Sequence, residues 1–374
     1  MKKLILIEVV VLILLIGVAL FAVTNPEIMS RMAVEDTTPV SQAEIPEAPT
    51  DPPTEPPTEP PTEPPTEPPT EPPTEPPTEP PVEVELEENW ISVLSGHSIA
   101  SKNYFVYDMD RGVFLTLSDG ITEAPLYPAS ITKLFSAYVA LQYIDPQESI
   151  TVGDELDMID PYSSIAYLQK GDTLTAEQLV AAMLLPSGND ATYVLATRVG
   201  RILMNDEDMR ADWAIERFVY QMNSLSRNLG LTDSHFITPD GIHDEEHYIS
   251  VTDMLIIGRL AMEHPIISKY AGSAKETVEV GDERSLTWKN TNSLLNPDSK
   301  YYCSYAVGLK TGYTSAAGNC LLSAFQVGEQ DLLIGVFGCP ESNTRFADTL
   351  LLFTQAFDLE IPEPEPTEDY EQAA

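Results

Sequence analysis

The sequence predicts an α/β domain in which a sheet built from both ends of the globular region is covered by helices from its middle. Strand-like apolar runs occur within residues 99–117 and again within 302–337, whereas the segments between them have helical periodicity. The early and late strands must therefore pair across the helical middle. Residues 89–358 include 35 acidic and 17 basic residues, a net charge of −18. This acidity argues against nucleic acid as a partner, because phosphate contacts require clustered Lys and Arg.

The order of the elements follows from periodicity and turn residues. Segments 99–107 and 112–117 flank a polar turn and predict a β-hairpin. A helix follows that begins near Ser130, and residues 149–157 are predicted to be extended. Further helices are predicted at 175–185, 191–199, 211–229, 251–262 and 344–357, and further strands from about residue 302, at 320–326 and at 332–337.

The N-terminus carries a candidate membrane anchor. Two lysines in residues 1–3 precede an apolar run at 4–23. Twenty helical residues span about 30 Å, the thickness of a bilayer core. The basic residues favour a cytoplasmic start, so the sequence predicts a single-pass anchor with the remaining chain outside the cell membrane. A cleaved signal peptide is the alternative.

Residues 24–94 are predicted to be a disordered, acidic, proline-rich stalk. Seven Pro-Pro-Thr-Glu repeats occupy residues 52–79. Paired prolines fix φ and remove backbone donors, so these 28 residues are expected to form a polyproline II rod of roughly 90 Å. A solvated linker of no set length is the alternative. Residues 95–358 are predicted to be the globular domain and 359–374 a disordered acidic tail.

Three cysteines lie in or beside apolar runs, and no two of them have metal-binding spacing. We expect small buried residues in or near strands, with a disulfide as the less favoured alternative. The three are Cys303, Cys320 and Cys339, and the alternative pair is Cys303 with Cys339.

A candidate nucleophile lies at the start of the first long helix. Ser130 and Lys133 are three residues apart, so a helix places both side chains on one face. Lysine can take the serine proton if burial or a second cation lowers its pKa. The alternative is a capping serine beside a solvated lysine. Pro128 and the apolar residues after Lys133 favour a partly buried first turn.

Two further segments present polar groups that suit a substrate cleft. Ser187-Gly188-Asn189 follows a helix that ends at Pro186, where Ser187 can pass protons and Asn189 can bond an amide. An ordinary turn with Asn189 capping the next helix is the alternative. Lys310-Thr311-Gly312 follows a strand-like run, where an ammonium and a missing side chain let an extended anionic substrate lie alongside.

The segment His243-x-x-Glu246-His247 matches an inverted zinc-protease pattern. Such a zinc site needs both histidines on a helix. Pro239 and Gly241 predict a loop instead, so we expect no metal here.

Three motifs in a fixed order resemble those of the penicillin-recognising serine enzymes. The resemblance covers roughly residues 95–358. More narrowly, the chain is similar to the low-molecular-weight penicillin-binding proteins that are serine D-alanyl-D-alanine carboxypeptidases. The motifs are Ser130-x-x-Lys133, Ser187-Gly188-Asn189 and Lys310-Thr311-Gly312, supported by segments 184–190, 241–248, 290–295 and 308–312.

The resemblance implies a role for each matched residue on the helical side. Ser130 would be the acylated nucleophile and Lys133 its base. Ser187 would relay protons, and Asn189 would bind the peptide backbone of the substrate. The fold implied is that of the β-lactamases and transpeptidases, an antiparallel sheet covered by helices plus an all-α lobe.

The same resemblance assigns the strand side. Lys310 and Thr311 would hold the terminal carboxylate of D-Ala-D-Ala, and the backbone N–H groups of Ser130 and Tyr313 would form the oxyanion hole. No metal or organic cofactor is implied. The expected partners are a peptidoglycan stem peptide and, as inhibitors, β-lactam antibiotics.

Two other functions are compatible with the same motifs. A β-lactamase would hydrolyse penicillins through a glutamate between the second and third motifs, but Glu216 and Glu283 lack the expected sequence context. A non-catalytic wall-binding module on a stalk is the other alternative.

Overall fold

The computed structural model describes residues 84–122, 125–281 and 284–361. Its main sheet is antiparallel, with strand order β2-β1-β9-β8-β7. Two small hairpins pair β3 with β4 and β5 with β6. The strands are β1 Asn103–Asp108, β2 Val113–Leu117, β3 Ser149–Thr151, β4 Thr173–Thr175, β5 Lys275–Val280, β6 Arg284–Lys289, β7 Ala306–Thr314, β8 Gly318–Val327 and β9 Gln330–Cys339.

Eight α-helices accompany the strands within the described residues, together with short 3₁₀ turns. Thr175 caps α3 through a capping box with Gln178, as the sequence indicates. The helices are α1 Glu88–Leu94, α2 Thr132–Ala140, α3 Ala176–Leu184, α4 Asn189–Met204, α5 Ala211–Asn228, α6 Val251–Glu263, α7 Pro265–Gly272 and α8 Thr344–Ala356. The 3₁₀ turns cover Ala129–Ile131, Asp154–Met158 and Ser293–Leu295.

The main sheet is buried on both faces. Alternate residues of β9 enter different hydrophobic clusters, since side chains alternate along a strand. Leu332 and Ile334 pack with α1 and α8, whereas Leu333 and Phe337 pack with the helices of the chain middle. The two clusters explain why the central strands read as continuous apolar runs.

The predicted fold class is confirmed. β1 pairs with β9, so the early and late strands meet across the helical middle. Strand β7 lies at one edge of the sheet, so among the described residues it pairs with a strand on one side only. Helix α2 is the central helix, because eight of its nine residues are buried.

The stalk boundary at residue 94 is wrong. Residues 88–94 form α1, and Trp90 is fully buried with its indole Nε1 donating 2.9 Å to the carbonyl of Tyr302. Glu87 also accepts hydrogen bonds from the backbone and hydroxyl of Ser304. These partners lie more than 200 residues away in sequence, so a short local pattern could not reveal them.

Local pattern also missed helix α7 and the β5–β6 hairpin, and it ended α4 five residues early at residue 199. The extended segment predicted at 149–157 is a strand only at Ser149–Thr151 and then a 3₁₀ turn. The predicted anchor at 4–23, the repeats at 52–79 and most of the acidic tail fall outside the described residues. Within the described ranges, no helix is long and apolar enough to cross a membrane.

The three cysteines are free thiols and all are buried. Cys320 and Cys339 lie in β8 and β9, and Cys303 precedes β7. The expectation of small buried residues is confirmed, and the alternative disulfide between Cys303 and Cys339 is not formed.

Candidate active site

A cleft of about 710 Å³ opens where the start of α2, the start of α4 and strand β7 meet. Six of the eight residues singled out from sequence line its wall. The other two, Lys133 and Lys310, are fully buried beside it. The six wall residues are Ser130, Ser187, Asn189, Thr311, Gly312 and Tyr313.

Ser130 and Lys133 form the pair that the sequence spacing predicts. Ser130 lies in the 3₁₀ turn that leads into α2. The α-helix therefore begins at Thr132, two residues after the predicted start near Ser130. Lys133 Nζ donates 3.0 Å to Ser130 Oγ and 2.9 Å to the carbonyl oxygen of Asp240. The hydroxyl and the amine are therefore within proton-transfer distance.

Burial changes the basicity of Lys133, whose side chain has no solvent exposure. Removal from water lowers the pKa of Lys133 to about 8, against a smaller opposing effect of the carboxylates of Asp240 and Asp190. Roughly a tenth of the amine is therefore neutral at pH 7, and only the neutral amine can accept a proton.

The backbone around the nucleophile is held in rarely used conformations. Ala129, directly before Ser130, has φ 47°, and Ser187 has φ 65°. Left-handed conformations are costly for residues with a side chain and persist where surrounding structure imposes them. Gly241, with φ +84°, supplies part of that structure, because a Cβ at this position would lie 1.9 Å from the Ala129 carbonyl oxygen.

Ser187 and Asn189 come from the turn between α3 and α4. Both are about 5% exposed and face the cleft. Asn189 begins α4, and its backbone N–H donates 2.8 Å to the carbonyl of Ser164. Gly188 is the N-cap and makes no side-chain cap, so the alternative in which Asn189 merely caps the helix is wrong.

Strand β7 brings Lys310, Thr311 and Gly312 to the opposite wall. Burial is the main reason that the pKa of Lys310 lies well below its usual range, and the nearby charges of Lys133 and Arg345 lower it further. Thr311 Oγ1 is 2.6 Å from the Thr291 hydroxyl. A Cβ on Gly312 would lie 3.2 Å from the backbone nitrogen of Ser130, so this glycine permits the close approach of the strand to the nucleophile.

Arg345 is a cleft residue that the sequence analysis missed. It lies in the first turn of α8, is 8% exposed, and its Nη1 donates 3.1 Å to the carbonyl of Gly312 and 3.3 Å to that of Cys320. Its Nε has no hydrogen-bond partner in the part of the chain that the structure describes. Helix-starting arginines are usually solvated, and only the packing of α8 on the sheet shows that this one is buried.

The His243–His247 segment is a loop, as predicted. His247 is 2% exposed. Its Nε2 lies 3.0 Å from Thr132 Oγ1, and its Nδ1 accepts from the backbone N–H groups of Ile237 and Thr238. Burial lowers the pKa of His247 to about 4. Both ring nitrogens are thus used to hold the loop against the start of α2.

The arrangement has the parts of a nucleophilic acyl-transfer site. A serine contacts a buried lysine of lowered pKa, and a second hydroxyl and an amide stand opposite strand β7. Two further buried basic residues, Lys310 and Arg345, lie on or against that strand. Such a site suits an extended substrate that ends in a carboxylate.

Comparison with known proteins agrees with this geometry. The family model described as D-alanyl-D-alanine carboxypeptidase matches residues 91–341. The D-alanyl-D-alanine carboxypeptidase DacF of Bacillus subtilis is 27% identical over 62% of this chain and 56% of its own length. The D-alanyl-D-alanine carboxypeptidase of Streptomyces sp. strain K15 is 30% identical over 68% of this chain and 86% of its own length.

Solved structures show the same fold. The DD-transpeptidase of Streptomyces K15 superposes with a TM-score of 0.63 at 27% identity, covering 70% of this chain and 99% of that chain. The matched region spans two thirds of the present sequence and includes all three motifs. The chain therefore belongs to the D-alanyl-D-alanine carboxypeptidase family.

Proposed function

We propose that this protein is a serine D-Ala-D-Ala carboxypeptidase that removes the terminal D-alanine from peptidoglycan stem peptides. The observation that carries the proposal is the 3.0 Å contact between Ser130 Oγ and the Nζ of the fully buried Lys133. Family membership supports the reaction class. The residue roles below are proposed from the geometry of the cleft.

Substrate binding uses the charge along the middle of β7. The terminal carboxylate of the peptide lies against Lys310 and Thr311, with the Arg345 guanidinium beneath the strand. An opposite charge at this position favours the protonated form of Lys310, which burial otherwise disfavours. The substrate therefore offsets part of the cost of burying these cations. The peptide backbone then runs past Ser130 toward Asn189.

Acylation begins when neutral Lys133 takes the hydroxyl proton of Ser130. The Oγ atom attacks the carbonyl carbon of the penultimate D-alanine and forms a tetrahedral oxyanion. The backbone N–H groups of Ser130 and Tyr313 stabilise that charge, worth about 3–4 kcal/mol for one such donor. The C–N bond then breaks, and the proton returns from Lys133 through Ser187 to the departing amine.

Deacylation repeats these steps with water. Lys133, neutral again, takes a proton from a water molecule, whose oxygen attacks the ester carbon. The ester C–O bond breaks, and Ser130 recovers its proton. Departure of D-alanine opens the space that the water needs.

The test is release of D-alanine. The purified domain, incubated with diacetyl-L-Lys-D-Ala-D-Ala, is expected to liberate free D-alanine, measured by an enzyme-coupled assay. Ser130→Ala should abolish the release while leaving the melting temperature nearly unchanged. Retained release in Ser130→Ala would overturn the proposal.

The reaction with β-lactams distinguishes a carboxypeptidase, which penicillin acylates, from a β-lactamase, which hydrolyses penicillin. The strained lactam resembles the acyl-D-Ala-D-Ala bond, but its leaving group stays tethered after ring opening. Among the described residues no glutamate lines the cleft, and Glu216 is exposed on α5. Intact-mass spectrometry should show one penicilloyl adduct that persists for minutes and is missing from Ser130→Ala. Rapid turnover of penicillin would support a β-lactamase instead.

We also propose that the domain works outside the cell membrane, held by the apolar segment 4–23. The support is the sequence pattern of that segment and the extracytoplasmic position of peptidoglycan. The protein should fractionate with membranes, and its N-terminal peptide should appear in digests. A mature chain that begins near residue 23 and is released into the medium would contradict the anchor.

A further inference from the structure

One wall of the cleft is formed by an exposed loop that the proposed reaction does not use. We call residues 160–168, between the 3₁₀ turn Asp154–Met158 and β4, the rim loop. Asp160, Tyr162, Ser163 and Ser164 of this loop line the cleft. Tyr162 is 97% exposed, so its ring is accessible to a ligand that enters the cleft.

The rim loop is fixed in place beside Asn189. The Ser164 carbonyl accepts from the Asn189 backbone at 2.8 Å. The buried carboxylate of Asp190 accepts from the backbone N–H of Ala166 at 2.8 Å and of Leu168 at 3.1 Å. The indole of Trp288 donates 2.9 Å to the Ala166 carbonyl. A ligand group that reaches the loop therefore meets a preorganised surface.

Charge is divided unequally between the two ends of the cleft. Lys310 and Arg345 make the β7 side of the cleft cationic. Two carboxylates line the cleft, and Asp240 is 1% exposed with Lys133 beside it. Asp160 is exposed, and within the described residues it forms no salt bridge, since the neighbouring Lys170 pairs with other acids of the same region.

The direction of the bound peptide places a particular residue at this rim. With its carboxylate at Lys310 and its scissile carbonyl at Ser130, the chain continues past Asn189. The next residue upstream is the third residue of the stem peptide. Its side chain therefore extends toward the rim loop, which adjoins Asn189 directly.

We infer that the rim loop favours stem peptides whose third residue carries a terminal ammonium group, as lysine does. The Asp160 carboxylate faces the ammonium, and the Tyr162 ring covers the methylene chain and contributes a cation–π contact. This inference rests on the proposed carboxypeptidase function and names the substrate class of that site.

The experiment compares two peptides that differ in one charge. N-acetyl-L-Lys-D-Ala-D-Ala keeps the free ε-amine, whereas the diacetyl peptide has the same length without it. The wild-type protein should show a kcat/KM about two- to five-fold higher for the free amine, the range expected for an exposed ion pair. Asp160→Asn should remove this preference, bringing the kcat/KM ratio of the two peptides to about one. Asp160→Lys should invert the preference.

A neighbouring acid supplies the matched control. Asp157 is 69% exposed and pairs with Lys170, so Asp157→Asn should keep the preference. The preference should also shrink in high salt, since exposed charges are screened.

Two outcomes overturn the inference and are distinguishable. Equal rates for both peptides in wild type, or a preference that survives in Asp160→Asn, would refute selection by the rim loop while D-alanine release keeps the proposed function intact. Absence of D-alanine release from both peptides would overturn the proposed function, and the inference with it.

Discussion

Helix α8 carries two buried charges that belong to very different surroundings. Arg345 lines the cleft near Lys310, and among the described residues its Nε has no hydrogen-bond partner. Asp348, three residues later, is fully buried and has both oxygens satisfied. The cleft thus brings three buried basic side chains together with only the carboxylates of Asp240 and Asp190 acting on Lys133, whereas the second group is a complete hydrogen-bond network.

The network around Asp348 is structural. One oxygen lies 2.7 Å from His97 Nε2, and the other accepts from the backbone of Ala100 and Ser101 and from the Ser101 hydroxyl. Cys339 Sγ lies 2.9 Å from the same hydroxyl. These contacts fasten the chain entering β1 onto α8. The buried charge of Asp348 is fully hydrogen-bonded and stabilises the fold. The buried basic residues of the cleft are instead proposed to interact with the substrate carboxylate.

The largest effect is expected from Lys133→Arg. Guanidinium keeps the positive charge but cannot release its proton, so it cannot act as the base. Penicillin acylation should fall by about 10³-fold, within the range of general-base catalysis. Adduct formation followed by intact mass measures it, with Lys170→Arg as the control. Labelling at the wild-type rate would refute the base assignment.

Asp348→Ala tests the other side of the comparison. Removing the acceptor leaves several buried donors unpaired, and the free energy of unfolding should drop by about 3–4 kcal/mol. Urea denaturation measures the change, and Asp331→Ala, at a partly exposed strand end, is the control. The folded fraction should be acylated at the wild-type rate. A large loss of acylation rate with unchanged stability would show that Asp348 serves the cleft.

Protonation of the buried His247 is expected to make the stability of the protein depend on pH. Its folded pKa of about 4 lies below the value near 6.5 of an unfolded histidine. The unfolded state therefore binds the proton first, and stability is lost as pH falls from about 6.5 toward 4. The loss between pH 7 and 5 should be about 2 kcal/mol. His247→Asn should remove this component in paired urea titrations, and an identical pH dependence in both proteins would contradict it.

The smallest effect concerns Lys310→Gln. Among the described residues the buried Lys310 ammonium donates only to the neighbouring Thr311 carbonyl, so the neutral amide should raise the free energy of unfolding by about 1–2 kcal/mol. D-alanine release should fall at the same time, because the substrate carboxylate loses its cation. Thermal and urea unfolding measure the gain. A lower free energy of unfolding in Lys310→Gln would mean that the Lys310 ammonium stabilises the fold, which would contradict this prediction.

The sequence was sufficient to locate the motif residues that meet at the cleft, because the signals of these motifs are local. Ser130 and Lys133 are three residues apart, and the turn at Ser187 and the strand glycine at 312 are each marked by their neighbours. Arg345 and Asp160 could not be found in this way. Arg345 becomes buried only when α8 packs on the sheet, and Asp160 reaches the cleft because Asp190 fastens the rim loop.

The fold likewise has elements that local sequence predicts and elements that depend on contacts between distant residues. The β1–β2 hairpin and the long amphipathic helices follow from periodicity. Helix α1 depends on Trp90 reaching the carbonyl of Tyr302, a contact between distant parts of the chain. The stalk boundary was therefore placed too late, at residue 94, a few residues before the first predicted strand and beyond the start of α1.

The measurement that tests the central claim most directly is the pH dependence of Ser130 acylation by penicillin. If neutral Lys133 is the base, the rate should rise about tenfold per pH unit at low pH and level off above about 8, where the amine has lost its proton. Rates from intact-mass time courses between about pH 6 and 9.5 give the profile. A rate that is independent of pH across this window, or one that falls as Lys133 deprotonates, would contradict the account.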